Sequence, residues 1–255
     1  MSEQSQPQPN GRVSRWIGAK AQLRALWGAT ATVWDSLVGR LDKASMDTRF
    51  QTWCQSLLDD AEATIVVGGA EYIRNGAIYM SNHVSVYDIP VVGSLVPGVR
   101  MIAKAEIFKI PIWGRALRVA GFIAIDRRNR ESAIVSLKRA ADQMRQGVNI
   151  WMAPEGTRSR DGNLLPFKKG GFIMAIEMGA TIIPMTIEGT FELVPPKSVS
   201  VRLGQTVHVR FHPPIDASRY TLDERDALMA EVQAVIAERP AATVIDAPGP
   251  TAPAG

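Results

Sequence analysis

Cysteine and histidine are scarce in this chain. Cys54 is the only cysteine among 255 residues, so an intramolecular disulfide is excluded. A low cysteine content is typical of a reducing compartment. The three histidines and the one cysteine show no ligand spacing, which argues against a zinc site. We therefore expect no metal centre.

Long apolar runs and signal regions are missing as well. In the basic segment near the start, the longest uncharged run is 25–34, shorter than the roughly 20 residues that a spanning helix needs. The start also lacks the basic and apolar regions of a signal peptide. We therefore expect neither a transmembrane helix nor a signal peptide.

Two functional classes are disfavoured by absent motifs. No G-x-S-x-G elbow occurs, so a serine hydrolase is disfavoured. No helix-turn-helix, zinc-finger or aromatic RNA-binding pattern occurs, so we expect no nucleic-acid partner. The net charge of +4 nevertheless suggests an anionic partner, and residues 121–170 carry ten Lys or Arg against five Asp or Glu, a surplus of +5.

Length and patterning predict one large α/β domain. A chain of 255 residues is short for two independent domains. Short apolar runs that predict strands alternate with helical patterns, which favours a mostly parallel central sheet flanked by helices. The predicted strands are 64–67, 77–80, 101–103, 122–125, 148–152, 181–186 and two segments around Gly204. The predicted helices are 85–95, 107–119, 131–146, 171–178 and a last one, opened by a capping box at 221–224 and ending near 238.

The predicted domain begins after an N-terminal helical segment. We expect residues 1–10 to be disordered, 11–60 to form the helical segment, 61–239 the main domain and 240–255 a disordered tail. The helical segment is predicted as one amphipathic helix, or a pair broken near Gly28. Its apolar stripe is Trp16, Leu23, Trp27, Ala31, Trp34, Val38 and Leu41. With its early cations, this segment could dock on an anionic membrane surface, pack on its own domain, or bind a partner.

The strongest catalytic pattern is a histidine and an aspartate five residues apart. His83 and Asp88 follow the predicted strand 77–80. Five residues apart on one helix would point roughly 140° away from each other, so we expect His83 in the strand-to-helix turn. Asp88 would then orient one ring nitrogen and leave the other as a base. The alternative is a capping turn with an incidental histidine. Backbone amides of this turn are candidate oxyanion donors.

Two further segments follow predicted strands, where open α/β sheets place ligands. One is 121–128, an apolar strand that ends in Asp126, Arg127 and Arg128. The other is 151–160, with proline, a glycine turn and arginines. Arginine matches the oxygens of a phosphate, and Gly156 lets the backbone approach a ligand closely. Either segment alone could equally be a surface turn with a salt bridge.

Taken in order, the segments NHVSVYD, GFIAIDR, PEGTRS with LLPFKKG, and IIPM resemble the four blocks of the glycerolipid acyltransferases. The resemblance is to the bacterial lysophosphatidic acid acyltransferase type and extends from about 69 to 189. Ala124 and Ala153 stand where that family commonly has phenylalanine. The resemblance implies acyl transfer from acyl-CoA or acyl carrier protein to the sn-2 hydroxyl of 1-acyl-sn-glycerol 3-phosphate, without a cofactor. It also implies a peripheral position on the cytoplasmic face of the bacterial inner membrane.

The resemblance implies a role for each matching residue. His83 would be the general base and Asp88 its orienting acid. The remaining positions would bind the acceptor phosphate (Lys104, Arg127 and Arg158), shape the glycerol site (Glu155, Gly156 and Thr157) or contact the acyl donor (Pro184). Two alternatives stay open: the same chemistry on another acceptor, such as glycerol 3-phosphate, another lysophospholipid or a lyso-aminolipid, or a non-catalytic lipid- or CoA-binding protein.

Overall fold

The computed structural model describes residues 12–126, 129–196 and 198–238. The predicted disordered ends, 1–10 and 240–255, lie outside the described residues, and so does Arg127. The predicted α/β fold with a mostly parallel central sheet is confirmed.

Ten strands are found within the described ranges, and eight of them share one sheet. They are β1 (Val13–Ser14), β2 (Thr64–Gly68), β3 (Ile78–Ser81), β4 (Arg100–Lys104), β5 (Ile123–Ile125), β6 (Ile150–Met152), β7 (Thr181–Glu188), β8 (Val201–Arg202), β9 (Thr206–Phe211) and β10 (Ile215–Asp216). The sheet order is β2-β9-β7-β3-β6-β4-β5, with β10 also on β7. The pairs β9–β7 and β10–β7 are antiparallel and the others are parallel.

Helices cover both faces of this sheet. The α-helices are α1 (Arg15–Leu37), α2 (Lys43–Asp60), α3 (Asp88–Leu95), α4 (Trp113–Val119), α5 (Arg130–Arg145), α6 (Lys169–Met178), α7 (Thr190–Leu193) and α8 (Arg225–Ala237). Short 3₁₀ turns occupy Ala70–Tyr72, Ala105–Lys109 and Ala217–Arg219. Side chains at helix N-termini explain several of the starts: Asp42, for example, accepts from the amide of Ser45 at 2.8 Å.

The central strands are buried on both sides because their side chains alternate between two cores. On β3, Tyr79 packs in the core that contains α2 and α3, whereas Ile78 and Met80 pack in the core of α5, α6 and α8. On β6, Trp151 faces the first core. This core also borders the carboxyl-terminal edge where His83 lies.

The N-terminal segment is a helix pair, but its break is not at the predicted position. Helix α1 continues through Gly28 and ends at Leu37, and the chain turns at Gly39, whose φ is +70°. Helix α1 is fixed to the domain at its start. Strand β1 pairs with β8, and a Cβ added at Gly18 would lie 1.8 Å from the carbonyl oxygen of Val199.

The apolar stripe of α1 faces away from the domain. Trp16, Trp27 and Trp34 are 69%, 77% and 62% exposed, and Leu23 is 60% exposed. The opposite face, with Gly18, Ala29 and Thr32, is buried. The segment therefore packs on its own domain, as one alternative had it, but through this opposite face and not through the stripe. No helix in the described ranges is both long and apolar enough to cross a bilayer.

Three predicted helices differ from the structure by more than a shift of one or two residues at an end. The helix expected from residue 85 begins at Asp88. The helix expected over 107–119 is split between the 3₁₀ turn and α4, because Pro111 lacks an amide hydrogen and Ile112 has a φ of +62°. The predicted capping box is only half formed: Thr221 donates its amide hydrogen to the Glu224 carboxylate at 2.9 Å, but its hydroxyl also donates to that carboxylate, and α8 begins at Arg225.

Candidate active site

The chain leaves β3 in a turn that the neighbouring strand holds. The Asn82 side chain donates to the carbonyl of Ile187 at 2.7 Å and accepts from the Ile187 amide at 2.8 Å. These two bonds continue the β3–β7 ladder for one more residue through a side chain. His83 therefore emerges at the carboxyl-terminal edge of the sheet in a defined position.

His83 and Asp88 form the predicted pair. The distance from His83 Nδ1 to Asp88 Oδ2 is 2.7 Å, and Asp88 is fully buried at the first residue of α3. Asp88 Oδ2 also accepts from the amides of Val84, at 2.8 Å, and Ser85, at 3.0 Å. Because a carboxylate with three donors at one oxygen acts as an acceptor, we assign the proton of the ring to Nδ1. Nε2 is then free to act as a base.

Trp151 supports the imidazole from one side. Its ring lies edge to face with His83, with centroids 5.5 Å apart and an interplanar angle of 90°. The indole Nε1 donates to Ser81 Oγ at 3.0 Å, which fixes the orientation of the indole. The His83 side chain keeps 16% of its surface exposed. The ring is therefore held in place and remains accessible to a substrate.

Glu155 lies against the turn that holds His83 and Asp88. It is 1% exposed, and its carboxylate accepts from the amides of His83, at 2.8 Å, and Leu165, at 2.9 Å. Burial raises the pKa of this carboxyl, and the two backbone hydrogen bonds oppose that shift. Ser159 donates its amide hydrogen to the His83 carbonyl at 2.8 Å. The loop after β6 therefore supports the His83 backbone through both Glu155 and Ser159.

The backbone amides of the turn are already engaged. The amide of His83 donates to Glu155, and those of Val84 and Ser85 donate to Asp88. An oxyanion needs donors that point at it and are not already bonded. The expectation that this turn supplies the oxyanion donors is therefore wrong for these three amides.

A cavity of about 660 Å³ opens beside His83. It lies between α1, α2, α4 and the sheet, and its walls are mostly apolar. Its polar lining includes His83, Lys104, Gly156, Thr157 and Arg158, which come from the ends of three parallel strands, β3, β4 and β6. The sheet topology thus gathers residues that are up to 75 positions apart in the chain, from His83 to Arg158.

Lys104 and Arg158 are exposed at this cavity. Within the described ranges, no carboxylate lies within 4.0 Å of either cation to form a salt bridge. Both cations line the cavity together with His83. Such cations are available to a phosphate group.

Asp88 and Glu155 lie at the turn of His83 without lining the cavity, and two other predicted residues are placed neither at that turn nor at the cavity by the described part of the chain. Arg127 lies outside the described residues. Pro184 is buried within β7, in register with Met80, and its carbonyl accepts from the His212 amide at 2.9 Å. The expected contact of Pro184 with the acyl donor stays a prediction.

Several residues that shape the site were not among the predicted ones. Asn82 and Trp151 hold the turn and the ring, and Thr190 donates to Asp88. Asn82 directly precedes His83, so its position was a usable signal. Thr190 is 102 residues from Asp88, and no local pattern links the two.

Comparison with known proteins agrees with this geometry. Residues 64–188 match the Acyltransferase family. This part of the chain belongs to that family. The matched range contains the turn of His83 and Asp88, Lys104, and the loop from Glu155 to Arg158.

Three relatives of this chain are named as 1-acyl-sn-glycerol-3-phosphate acyltransferases. The chain is 37% identical over 162 residues to the chloroplastic 1-acyl-sn-glycerol-3-phosphate acyltransferase of Arabidopsis thaliana. It is 35% and 34% identical, each over 165 residues, to the enzymes of that name from Salmonella typhimurium and Escherichia coli. These matches cover 64% of the chain, 44% of the plant protein and 66% of the bacterial ones. The chain thus spans less than half of the plant relative and about two thirds of the bacterial relatives.

A solved structure extends the likeness to most of the chain. The crystal structure of the 1-acyl-sn-glycerophosphate (LPA) acyltransferase PlsC from Thermotoga maritima is 27% identical, with a TM-score of 0.70. The superposition covers 88% of this chain and 95% of that one. The acyltransferase-family fold therefore includes more of the chain than residues 64–188.

Proposed function

We propose that this chain transfers a fatty acyl group from acyl-CoA or acyl carrier protein to the sn-2 hydroxyl of 1-acyl-sn-glycerol 3-phosphate. One observation carries the proposal. The His83–Asp88 pair opens on an apolar cavity whose wall also bears two cations, Lys104 and Arg158, that have no carboxylate partner among the described residues. The names of the relatives point to the same substrate.

The base and the thioester together account for the reaction. His83 Nε2 removes the proton from the acceptor hydroxyl, and the oxygen attacks the thioester carbonyl. The tetrahedral species then expels the thiolate, which takes the proton from the imidazolium. Asp88 balances the positive charge of the ring while the proton is held there. General base catalysis supplies roughly 10²–10⁴-fold, and positioning of both reactants adds more.

The two cations suit the phosphate of the acceptor. The guanidinium of Arg158 can bind two phosphate oxygens, and Lys104 adds a point charge from the neighbouring strand. Glu155 does not contact the substrate in this proposal, because its carboxylate is buried and accepts hydrogen bonds from two backbone amides. In our proposal Glu155 acts on the glycerol site only through the loop that it anchors, and Gly156 and Thr157 line the cavity directly.

The apolar part of the cavity suits an acyl chain. Small residues of α1, such as Gly18, Ala21 and Ala25, form one wall, and Ile107 and Leu117 lie on another. A volume of about 660 Å³ lies in the range of ligand pockets. An acyl chain that enters this cavity is removed from water, and this transfer is favourable by about 25 cal/mol per Å² of apolar surface buried.

We also propose that α1 docks the protein peripherally on a membrane, at the cytoplasmic face of the bacterial inner membrane. Three exposed tryptophans on one helix face suit the boundary between headgroups and acyl chains. Two of the early cations turn inward, because Lys20 and Arg24 both pair with Asp60, at 2.7 and 2.8 Å. Apolar contact therefore supplies most of this attachment, and the attraction to anionic lipid is smaller than the charge of the segment suggests.

The decisive assay uses purified protein, 1-acyl-sn-glycerol 3-phosphate and palmitoyl-CoA in detergent or vesicles. We expect free thiol to appear and mass analysis to find phosphatidic acid. His83→Ala should lower kcat by at least about 10²-fold, since it removes the base. His208→Ala, an exposed histidine on β9, is the matched control and should retain full activity.

The alternatives give different results in the same assay. A non-catalytic binding protein would release no thiol above background with any acceptor. A panel of glycerol 3-phosphate, other lysophospholipids and a lyso-aminolipid, each with one donor, separates the acceptors. A faster reaction with one of these would move the proposal to that acceptor. Full activity of His83→Ala would remove His83 as the base.

A further inference from the structure

The corner that follows β7 holds the catalytic turn at three places. The Ile187 backbone pairs with the Asn82 side chain, and the Val194 carbonyl accepts from Ser85 Oγ at 2.9 Å. Between them, Thr190 Oγ1 donates to Asp88 Oδ1 at 2.5 Å. This corner comes after the IIPM block of β7, in which the sequence resemblance associates Pro184 with the acyl donor.

The two oxygens of Asp88 are used very differently. Oδ2 accepts from the His83 ring and from two backbone amides. Among the described residues, Oδ1 has one hydrogen-bond donor, the hydroxyl of Thr190. Asp88 and Thr190 are both fully buried, so water has no direct access to replace that hydroxyl. The rotation of the carboxylate is therefore set from one side by the turn and from the other by Thr190.

The position of Thr190 depends on an unusual backbone. Gly189 has a φ of +93°, and a Cβ added there would lie 2.2 Å from the carbonyl oxygen of Thr206. Glycine is the residue that tolerates both the positive φ and this close approach. The chain can thus leave β7 sharply and begin α7 at Thr190, directly beside Asp88.

We infer that Thr190 is a positioning residue for the reaction: its hydroxyl holds the Asp88 carboxylate so that Oδ2 faces His83 Nδ1. Without the hydroxyl, a buried carboxylate oxygen would lack a donor and the carboxylate would rotate or shift toward another one. The imidazole would lose its fixed direction while the substrate-binding wall stayed intact. Misplacement of a catalytic group by about 1 Å can cost on the order of 10²-fold in rate.

The kinetic test rests on the proposed acyl transfer. Thr190→Val keeps the shape and removes the hydroxyl, and we expect kcat to fall by about 10- to 100-fold with the KM of both substrates changed less than about twofold. Thr190→Ser restores the hydroxyl and should return kcat to within about threefold of wild type. Thr190→Ala provides a second variant without a hydroxyl if the valine variant folds poorly.

Thr186→Val is the matched control. Thr186 is a buried threonine on β7 whose hydroxyl donates to the Ile236 carbonyl at 3.2 Å and bonds His212 at 2.8 Å, on the side of α8. Its substitution also removes a buried hydroxyl and should lower the melting temperature, but it should leave kcat unchanged. Equal loss of kcat in Thr186→Val and Thr190→Val would overturn the positioning role.

A spectroscopic measurement separates this inference from the proposed function. In protein with ¹⁵N-labelled histidine, the Nδ1 proton of His83 should give a downfield ¹H resonance, assigned by its loss in His83→Ala. That resonance should shift or disappear in Thr190→Val, return in Thr190→Ser and persist in Thr186→Val. If the wild-type protein transfers no acyl group, the proposed function fails, yet the resonance still decides the inference. An unchanged resonance in Thr190→Val would contradict it.

Discussion

Two carboxylates, Asp88 and Glu155, are buried at the turn that holds His83, and hydrogen bonds rather than salt bridges to Lys or Arg accommodate both within the described residues. Asp88 accepts from two amides, a hydroxyl and the His83 ring, and Glu155 accepts from two amides. Neither forms a salt bridge with Lys or Arg in the described part of the chain. A buried charge is tolerable when its oxygens are fully hydrogen-bonded. The cations of the site therefore remain available to a ligand.

Arg158→Ala tests that availability at the scale of one residue. The variant should raise the KM for the acceptor by about tenfold or more and change kcat little, because a hydrogen bond to a charged group contributes roughly 1.5–3 kcal/mol. The KM for the acyl donor should stay near the wild-type value. Steady-state kinetics with each substrate varied in turn measures both constants.

The control for this variant is a neighbouring arginine. Arg160 is exposed, lies two residues further along the same loop and does not line the cavity. Arg160→Ala should leave both KM values unchanged. An acceptor KM that is the same in Arg158→Ala and wild type would remove Arg158 from the phosphate site.

The two faces of helix α1 have different surroundings, one the cavity and the other solvent. Its inner face of small residues forms a wall of the cavity, and its outer face exposes tryptophan. The close approach at Gly18, where an added Cβ would lie 1.8 Å from the Val199 carbonyl oxygen, brings the helix onto the domain. Removal of α1 would therefore open the cavity as well as delete the proposed membrane-docking face, so point substitutions are the more selective experiment.

Gly18→Ala tests this docking at the scale of the element. The new methyl group would overlap backbone atoms, which cannot turn aside like a flexible side chain, so the helix must shift. We expect a loss of about 1–3 kcal/mol in the free energy of unfolding, the usual range for overpacking. Thermal or urea unfolding measures it.

Gly28→Ala on the same helix is the matched control. A Cβ there would meet Trp53 at 3.8 Å, an ordinary contact, and alanine favours helix over glycine by about 0.8–1.0 kcal/mol. This variant should therefore be as stable as wild type or more so. Equal stability of the Gly18→Ala protein and wild type would show that the approach at Val199 does not hold α1.

At the scale of the whole molecule, one helix, α1, connects the exposed tryptophans with the cavity. The helix that exposes the rings also forms a wall of the cavity beside His83. A lysophospholipid resides in a membrane, and an acyl thioester donor reaches it from water. Attachment through α1 would bring His83, the proposed base, to the surface where the two proposed substrates meet.

The double variant Trp27→Ala, Trp34→Ala tests this arrangement. Burial of a large apolar side chain contributes roughly 1.5–3 kcal/mol, so binding to vesicles of anionic and zwitterionic lipid should weaken by at least about tenfold. Because the rings are exposed, the melting temperature should change little. Co-sedimentation with vesicles at 0.1 and 0.5 M NaCl measures the binding, which should depend only weakly on salt.

Val135→Ala is the control for exposed apolar surface elsewhere. Val135 is 61% exposed on α5, which covers the opposite face of the sheet. This variant should bind vesicles as the wild type does. Undiminished binding of the tryptophan variant would place the membrane contact on another surface.

Local patterns in the sequence were sufficient for the elements and for the catalytic pair. Apolar runs bounded by turn residues predict strands, and the strands found at 64–68, 78–81 and 181–188 confirm this. The five-residue spacing of His83 and Asp88 already required one of them to lie outside a regular helix. The ordered blocks then identified the family, because the order of motifs along a chain is itself a sequence property.

Tertiary structure alone decided which distant residues meet. The register of β3 with β7 brings Ile187 to Asn82 and thereby places Thr190 against Asp88, and the break of the helix pair falls at Gly39 rather than Gly28. The orientation of the tryptophan stripe away from the domain was also left open by its periodicity. Periodicity reports that a helix has an apolar face, but only the packing of all elements determines whether that face meets protein or solvent.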